Sequence, residues 1–141
     1  SAEKMEIRGD ILPAAFVSAP ARRVEIARMI LSQLPEWFGI PAATEGYITD
    51  AAHEPCFVCE KDGAPVGFLC LKETGRSTVE LAVMGVLEPC HRKGYGRALV
   101  DAAVAYARQT GYEFMQVKTV QMGKYEEYDR TNRFYLSCQG V

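Results

Sequence analysis

A strand–loop–helix–strand segment constrains the fold of this chain more than any other feature. Residues 78–86 (TVELAVMGV) form an apolar run of strand length, and residues 97–110 place apolar side chains at helical spacing. Gly111 suits the left-handed position that ends a helix, and residues 114–120 (FMQVKTV) follow as another strand. Because strands joined through a helical crossover run in parallel, the segment predicts one parallel β-loop-α-β unit.

The flanking sequence predicts antiparallel strands and further helices. Asp62-Gly63 between two apolar runs is a strong hairpin signal. We therefore predict an α/β (α+β) fold with a mixed, mostly antiparallel sheet flanked by helices. The other predicted elements are a short strand at 6–11, helices at 21–38 and 41–52, strands at 56–61 and 65–72, and a last helix at 129–138.

The composition of the 141 residues excludes several classes of protein. Hydrophobic residues make up 48% of the chain and charged residues 24%, so a single domain over residues 1–141 can bury a core. A balance of 16 Lys and Arg against 18 Asp and Glu argues against a nucleic-acid partner, which needs clustered positive charge. With no spanning apolar run and no signal peptide, we expect a cytoplasmic protein without a membrane partner.

The five cysteines predict free thiols rather than a disulfide framework or a metal site. Their odd number and apolar surroundings are typical of a reducing compartment. Cys56 and Cys59 form a C-x-x-C pair, but the run around them reads as a strand, in which residues three apart point to opposite faces. The two sulfurs cannot then share an ion, and no metal is expected.

The connection between strand 78–86 and helix 97–110 predicts an anion site. Gly94 and Gly96 let the main chain turn its N–H groups inward and let a ligand approach closely. Unpaired N–H groups at the start of the helix add donors and a positive dipole. Positive side chains nearby are Arg92, Lys93 and Arg97.

Two common phosphate-binding motifs do not fit this loop. A dinucleotide fingerprint needs G-x-G-x-x-G/A, but Leu99 stands at the third glycine position counted from Gly94, and strand 114–120 offers no acidic residue for a ribose. The P-loop motif G-x-x-x-x-G-K-[ST] is absent. The loop instead resembles the pyrophosphate loop of the GNAT superfamily of acyl-CoA-dependent N-acetyltransferases, whose pattern is Gln/Arg-x-x-Gly-x-Gly/Ala between a strand and a helix.

The resemblance covers about residues 5–140 and implies a function. The loop reads HRKGYG, with His91 where Gln or Arg is usual, and the strand before it ends Met-Gly-Val as the family's acyl-binding strand does. The resemblance implies direct transfer of an acetyl group from acetyl-CoA to a primary amine, with His91 contacting phosphate or holding the loop. The residues that it implies for acetyl-CoA binding are Met84, Gly85, Val86, His91, Arg92, Lys93, Gly94, Tyr95, Gly96, Arg97, Ala98 and Asn132.

The resemblance also implies catalytic roles for two side chains. Glu80 is the candidate base, acting directly or through water, since a primary amine with a pKa of about 10.4 needs help to lose its proton. Glu80 shares side-chain parity with Met84 and Val86, so we expect it to face the same cleft. Tyr135 is the candidate acid for the CoA thiolate, and Asn132 is expected one helical turn before it on the same face.

The acceptor amine, on a small molecule or a peptide, is expected against the first two predicted helices and their connection. Acidic groups there suit a cationic amine, although helix surfaces commonly carry such charges. The residues concerned are Glu36, Trp37, Phe38, Glu45, Tyr47 and Asp50.

The sequence departs from the family pattern at its end. The family usually continues after the last helix with Gly-Phe and two more strands, whereas this sequence ends SCQGV. We therefore expect an open edge at strand 114–120, and either a truncated or variant chain or one whose edge another chain covers, as in a homodimer. The alternative to an active enzyme is a non-catalytic acyl-CoA-binding module or a partly inactive variant.

Overall fold

The computed structural model of the chain describes residues 12–35, 41–120 and 129–136. Short 3-10 turns at Ala51–His53 and Glu88–Cys90 follow the second helix and the fourth strand. No helix within these ranges is both long and apolar enough to cross a lipid bilayer. The elements are β1 Ala15–Val17, α1 Pro20–Leu31, α2 Pro41–Asp50, β2 Cys56–Lys61, β3 Ala64–Gly75, β4 Thr78–Val86, α3 Tyr95–Thr110, β5 Phe114–Val120 and β6 Asp129–Tyr135.

The strands form one sheet in the order β1-β2-β3-β4-β5-β6. Neighbouring strands are antiparallel except β4 and β5, which are parallel as the sequence predicts. The β2–β3 hairpin turns at Asp62 and Gly63, whose φ angles of 54° and 82° are both left-handed, and this confirms the Asp-Gly signal. The predicted fold class, a mixed and mostly antiparallel sheet flanked by helices, is confirmed.

Helices cover both faces of the sheet and give it two cores. On one face, which we call the α1 face, Ile30 of α1 lies in a buried cluster with Phe68 and Val83. On the other, the α3 face, Leu99 of α3 lies in a buried cluster with Leu71. Full burial of such a side chain contributes about 2 kcal/mol, so each helix is held mainly by this packing.

Residues 129–135 form a strand, so the predicted last helix at 129–138 is wrong. β6 pairs with β5 along its whole length, from Val120 opposite Asp129 to Phe114 opposite Tyr135. The predicted open edge of strand 114–120 is wrong for the same reason, because β6 covers it. Helix propensity is a weak preference, and here pairing with the edge of β5 outweighs it.

The other differences concern element ends. The helix predicted over 21–38 ends at Leu31, and the short edge strand β1 was not predicted because three residues show no periodicity. The predicted helix at 41–52, the helix at 97–110 and the strand at 114–120 are confirmed, with α3 beginning earlier, at Tyr95. The predicted strand at 6–11 lies outside the described residues.

Cys56 and Cys70 form a disulfide between β2 and β3, so the expectation of free thiols is wrong for this pair. The two residues are directly opposite in the β2–β3 register, with Cα atoms 4.3 Å apart, and only strand pairing could reveal that contact. Cys59 lies in the α3-face cluster and Cys56 in the α1-face cluster, which confirms that the C-x-x-C sulfurs point to opposite faces. Cys59 and Cys90 are free and buried.

Candidate active site

The parallel strands β4 and β5 separate at a β-bulge. Their last described pair is Leu81 with Val117, although β4 continues to Val86. The register between β3 and β4 skips Ala82, which is therefore the extra residue of a bulge. A bulge bends its strand and twists it more strongly, so β4 turns away from β5 after Leu81. We call the space beside residues 82–86 the β4–β5 gap.

The main chains of Met84 and Val86 face the β4–β5 gap. Leu87 N–H donates to the Val66 carbonyl on β3, with an N···O distance of 2.8 Å. Because hydrogen bonding alternates along an antiparallel pair, Gly85 also directs its main-chain groups to β3, whereas Met84 and Val86 direct theirs to the opposite side. Two N–H donors thus lie where the resemblance implies acyl binding.

Gly85 allows β4 to lie close to the helical layer. A Cβ atom at this position would lie 3.2 Å from Leu34 Cδ1 and 3.3 Å from Ile30 Cγ2, both tight contacts with buried side chains. A larger residue here would push these side chains back by a few tenths of an ångström, so glycine favours the close packing of β4 against the α1 region. Its predicted place in acetyl-CoA binding is indirect, since its main chain faces β3.

His91 joins the glycine loop to the end of β4. Its Nε2 atom lies 2.6 Å from the Val86 carbonyl oxygen, so Nε2–H donates to that carbonyl. This contact supports the predicted role of holding the loop. Arg92 and Gly94 have left-handed φ angles of 64° and 97°, and left-handed residues in such a turn direct successive N–H groups to one side.

The N-terminus of α3 presents unpaired donors beside this loop. Gly94 is the N-cap and no side chain caps the helix, whose first helical hydrogen bond joins Ala98 N–H to the Gly94 carbonyl. The N–H groups of Tyr95, Gly96 and Arg97 therefore have no helical acceptor. A Cβ on Gly96 would meet nothing within 4 Å, so open space adjoins these donors. The set fits a diphosphate such as that of acetyl-CoA.

The loop side chains differ in what they offer a ligand. Arg92 and Lys93 are exposed, and within the described part of the chain no ion pair engages them. Arg97 is exposed too, but its Nε atom lies 3.1 Å from Asp101 Oδ1. Tyr95 exposes only 5% of its surface and packs in the α3-face core, so its contribution to an anion site is its main-chain N–H.

Glu80 lies on the α1 face, so the predicted parity with Met84 and Val86 is wrong. The bulge at Ala82 shifts the alternation of side chains by one residue, which places Leu81 and Val86 in the α3-face cluster but Val83 in the α1-face cluster. Glu80 is half-buried, stands opposite Lys72 of β3, and directly precedes the last β4–β5 pair. It therefore lies beside the start of the β4–β5 gap, on the face that α1 and α2 cover.

Glu54 is a buried acidic residue that no sequence motif singles out. It exposes 9% of its surface, and burial raises its pKa to about 7. The charges of Asp50 and Glu80 act in the same direction, and Lys72 opposes them. The one signal in the sequence is a charged residue just before an apolar strand, which is too common to predict a site.

The register of β6 separates the two residues predicted to act together near its end. Asn132 pairs with Val117, which places its main chain in the last row before the β4–β5 gap. Tyr135 pairs with Phe114, in the row of Thr78, so its main chain lies beside the amino end of β4. At the rise of a strand, this row is about 13 Å from Ala82, where the gap begins, and about 25 Å from Val86. The fold does not bring Tyr135 to the gap, and the helical spacing that linked it to Asn132 is absent.

The residues predicted to bind the acceptor amine do not form one group in the structure. Glu45 receives two hydrogen bonds from the Arg28 guanidinium, at 2.9 and 3.0 Å, which hold the pKa of Glu45 below its usual range. Tyr47 is exposed, and Asp50 lines a cavity beside Glu54. Residues 36–38 lie outside the described residues.

Comparison with known families identifies the class of this protein. The model of the acetyltransferase (GNAT) family matches residues 16–137. Because this match spans most of the chain, the chain belongs to the acetyltransferase (GNAT) family, and the resemblance predicted from the loop is confirmed. A comparison with curated protein sequences finds no significant match.

Solved structures share the fold at low sequence identity. The chain is similar to yncA from Salmonella typhimurium, solved with its cofactor acetyl-CoA, at a TM-score of 0.62 and 16% identity over 92% of this chain and 98% of that one. It is also similar to the ribosomal-protein-S18-alanine N-acetyltransferase from Escherichia coli, at a TM-score of 0.61 and 15% identity over 76% of this chain and 67% of that one. A third similar structure is the IAA acetyltransferase from Bacillus cereus ATCC 14579, at a TM-score of 0.60 and 20% identity over 77% of this chain and 67% of that one.

Proposed function

We propose that this protein is an N-acetyltransferase that moves an acetyl group from acetyl-CoA to a primary amine by direct attack. The observation that carries the proposal is the junction of the β4–β5 gap with the N-terminus of α3, tied together by the hydrogen bond from His91 to Val86. One end of this junction offers N–H donors to a diphosphate, and the other offers them to an acyl carbonyl. A ligand with both groups, separated by a flexible arm, fits this arrangement.

Main-chain donors do the binding in this proposal. The N–H groups of Tyr95, Gly96 and Arg97 receive phosphate oxygens, with Arg92 and Lys93 as mobile positive charges beside them. The N–H groups of Met84 and Val86 are directed at a carbonyl oxygen in the gap, and fixed donors of this kind lower a barrier by about 3 kcal/mol each. When bound, acetyl-CoA supplies an acetyl group activated as a thioester.

Glu80 takes the proton of the acceptor ammonium. Its position supports this role, because it directly precedes the last β4–β5 pair and is half-buried on the α1 face. A general base in this place contributes roughly 100-fold or more to the rate at neutral pH. Proton transfer through one water molecule serves equally well.

The test of the function is acetyl-CoA binding followed by thiol release. Calorimetry with acetyl-CoA measures binding, and a thiol reagent then measures turnover with a panel of primary amines. Binding with amine-dependent thiol release supports an acetyltransferase. Binding without thiol release for any amine contradicts it and indicates a binding module, and absence of binding contradicts the site itself.

Glu80→Gln tests the base. We expect turnover at pH 7 to fall roughly 100-fold with unchanged acetyl-CoA affinity, and the loss to shrink as pH rises because the free amine becomes abundant. Glu60→Gln, an exposed residue of β2, is the matched control and leaves both quantities unchanged. A Glu80→Gln chain with normal turnover and a normal pH profile would show that Glu80 is not the base.

A further inference from the structure

A cavity of about 490 Å³ lies beside Glu54, at the end of the sheet where β4 begins. Acidic side chains dominate its charged wall: Asp50 from α2, Glu54 before β2 and Glu73 from β3. The other titratable groups that line it are His53, Lys72 and Tyr112. The loop at 91–96 contributes none of the lining, so this cavity, which we call the Glu54 cavity, is separate from the predicted diphosphate site.

The carboxylate of Glu54 has no described hydrogen-bond donor, which suggests that it binds a ligand. Its surface is nine-tenths buried, and among the described residues no donor makes a hydrogen bond to its carboxylate. No fully enclosed side-chain oxygen or nitrogen in that part of the chain lacks a partner, so the carboxylate oxygens of Glu54 remain open to the cavity. Burial of most of the side chain makes its charged form costly, and a cationic ligand in the cavity would lower that cost.

The neighbouring charges leave Glu54 available. Glu73 accepts a hydrogen bond from the Tyr112 hydroxyl, so it is partly occupied. Lys72 stands between Glu54 and Glu80 in the sheet, but it is exposed, and no described ion pair joins it to either carboxylate. The cavity therefore carries net negative charge that the protein does not neutralise by contact.

The spacing separates this cavity from the position of the attacking amine. Glu54 lies at the level of β2 and Glu80 on β4, with β3 between them, so the two positions are about 10 Å apart at the usual distance between strands. The amine that is acetylated loses its proton beside Glu80, whereas a cation in the Glu54 cavity stays charged. A single ligand that places one amino group beside Glu80 and a second, charged amino group in the Glu54 cavity is a diamine or a polyamine.

We propose that the Glu54 cavity binds the second, unreacting ammonium group of a diamine or polyamine acceptor, with Glu54 as its main anionic partner. The proposal rests on the proposed acetyltransferase function for the first amine. The cation site alone does not depend on acetyl transfer, because Glu54 and Asp50 lie outside the acetyl-CoA machinery described above.

The ionisation of Glu54 adds a pH signature to this binding. Since its pKa is raised to about 7, the carboxylate forms mainly above neutral pH, and diamine affinity should rise between pH 6 and pH 8. The titratable and charged groups that face Glu54 are Asp50, His53, Lys72, Glu73, Glu80 and Tyr112.

The experiment measures binding of putrescine, spermidine and butylamine to the chain without acetyl-CoA, by NMR titration at pH 6 and pH 8. We expect the two polyvalent amines to bind about tenfold more tightly than butylamine at pH 8, as a charge-assisted contact allows. Glu54→Gln, which keeps the shape, should abolish that advantage, and Glu60→Gln should preserve it. Lys72→Met should strengthen binding, because it removes the opposing charge.

Several results would overturn the proposal, and they are distinct from failure of the proposed function. Equal affinity for putrescine and butylamine, or an advantage that survives Glu54→Gln, shows that the cavity is not the second ammonium site. With acetyl-CoA present, Glu54→Gln should raise the KM for spermidine about tenfold and leave kcat unchanged, whereas the KM for butylamine should not move. If acetyl-CoA fails to bind while the Glu54-dependent diamine binding persists, the result contradicts the proposed transferase function and supports the cation site.

Discussion

At the carboxyl end of β4 the groups that face open space are main-chain N–H donors, whereas near its amino end they are side-chain carboxylates. The first set includes the N–H groups of Met84 and Val86 in the β4–β5 gap and those at the start of α3. The second includes Glu54 in its cavity and Glu80 on the α1 face. Main-chain donors depend on backbone shape and are independent of pH, whereas the ionisation of Glu54 responds to pH and both carboxylates can be removed by isosteric substitution. The two regions can therefore be disabled one at a time.

The largest expected effect is at the donor end. Gly96→Glu places a carboxylate among the unpaired N–H groups of α3, and we expect acetyl-CoA binding to weaken at least about 100-fold, or about 3 kcal/mol. Calorimetry measures the affinity. Gly46→Glu on α2 is the matched control, because a Cβ meets nothing within 4 Å at either position, and it should bind normally. Normal binding by Gly96→Glu would remove the diphosphate from this loop.

The next effect is on stability at the carboxylate end. Because the pKa of Glu54 is raised to about 7 from 4.5, the folded chain holds a proton that the unfolded chain has released between these values. The stabilising contribution of the protonated group is therefore complete below about pH 4.5 and is lost as pH rises through about 7. We expect Glu54→Gln to increase the free energy of unfolding by on the order of 2 kcal/mol at pH 8, but not at pH 4.5. Urea unfolding at both pH values checks this.

Glu60→Gln, at the exposed end of β2, gives the baseline for that measurement. Its unfolding free energy should follow the unaltered chain at both pH values. A Glu54→Gln chain that gains equal stability at pH 4.5 and pH 8 would show that ionisation of Glu54 does not oppose folding.

A smaller effect is expected at the junction between loop and strand. His91→Ala removes the hydrogen bond to the Val86 carbonyl, so acetyl-CoA affinity should fall about fivefold, or about 1 kcal/mol. His91→Gln keeps a donor in that place and should restore most of the affinity. Equal losses in the two variants would mean that the imidazole does more than hold the loop, and calorimetry distinguishes these cases.

The smallest effect is expected for Tyr135→Phe. Since the main chain of Tyr135 lies in the row of Thr78, far from the β4–β5 gap, we expect turnover to change less than about twofold and acetyl-CoA affinity to stay constant. Steady-state kinetics measures both. A loss of turnover near 100-fold at unchanged affinity would instead support the predicted role of Tyr135 as the acid.

The parts of the fold that sequence predicted well are those specified by local signals. Asp62-Gly63 specifies its turn through two left-handed residues, Gly111 ends α3 in a left-handed conformation, and the apolar run at 114–120 is a strand at its predicted bounds. The anion site predicted for the loop at 91–96 also rests on local features, glycine spacing and a helix start, and stays a prediction. Each of these depends on residues within a few positions of one another.

The errors arose where distant residues decide the outcome. The segment at 129–135 is a strand because β5 offers it an edge, and nothing within the segment indicates that. The bulge at Ala82 depends on the pairing of β4 with β3, and it reverses the side-chain parity on which the orientation of Glu80 was predicted. The Cys56–Cys70 disulfide likewise requires two strands in register.

The sequence by itself determined the class of fold, the glycine loop and the identity of the residues that can supply donors and carboxylates. Local conformational preferences and side-chain chemistry are encoded by short stretches of sequence, so they can be read directly. Only the tertiary structure decided which groups share a space: the N–H groups of Met84 and Val86 in the gap, and Glu54 buried beside Asp50 and Lys72. Strand register and burial are set by contacts between distant segments, and these alone change the pKa of a carboxylate or leave a donor unpaired.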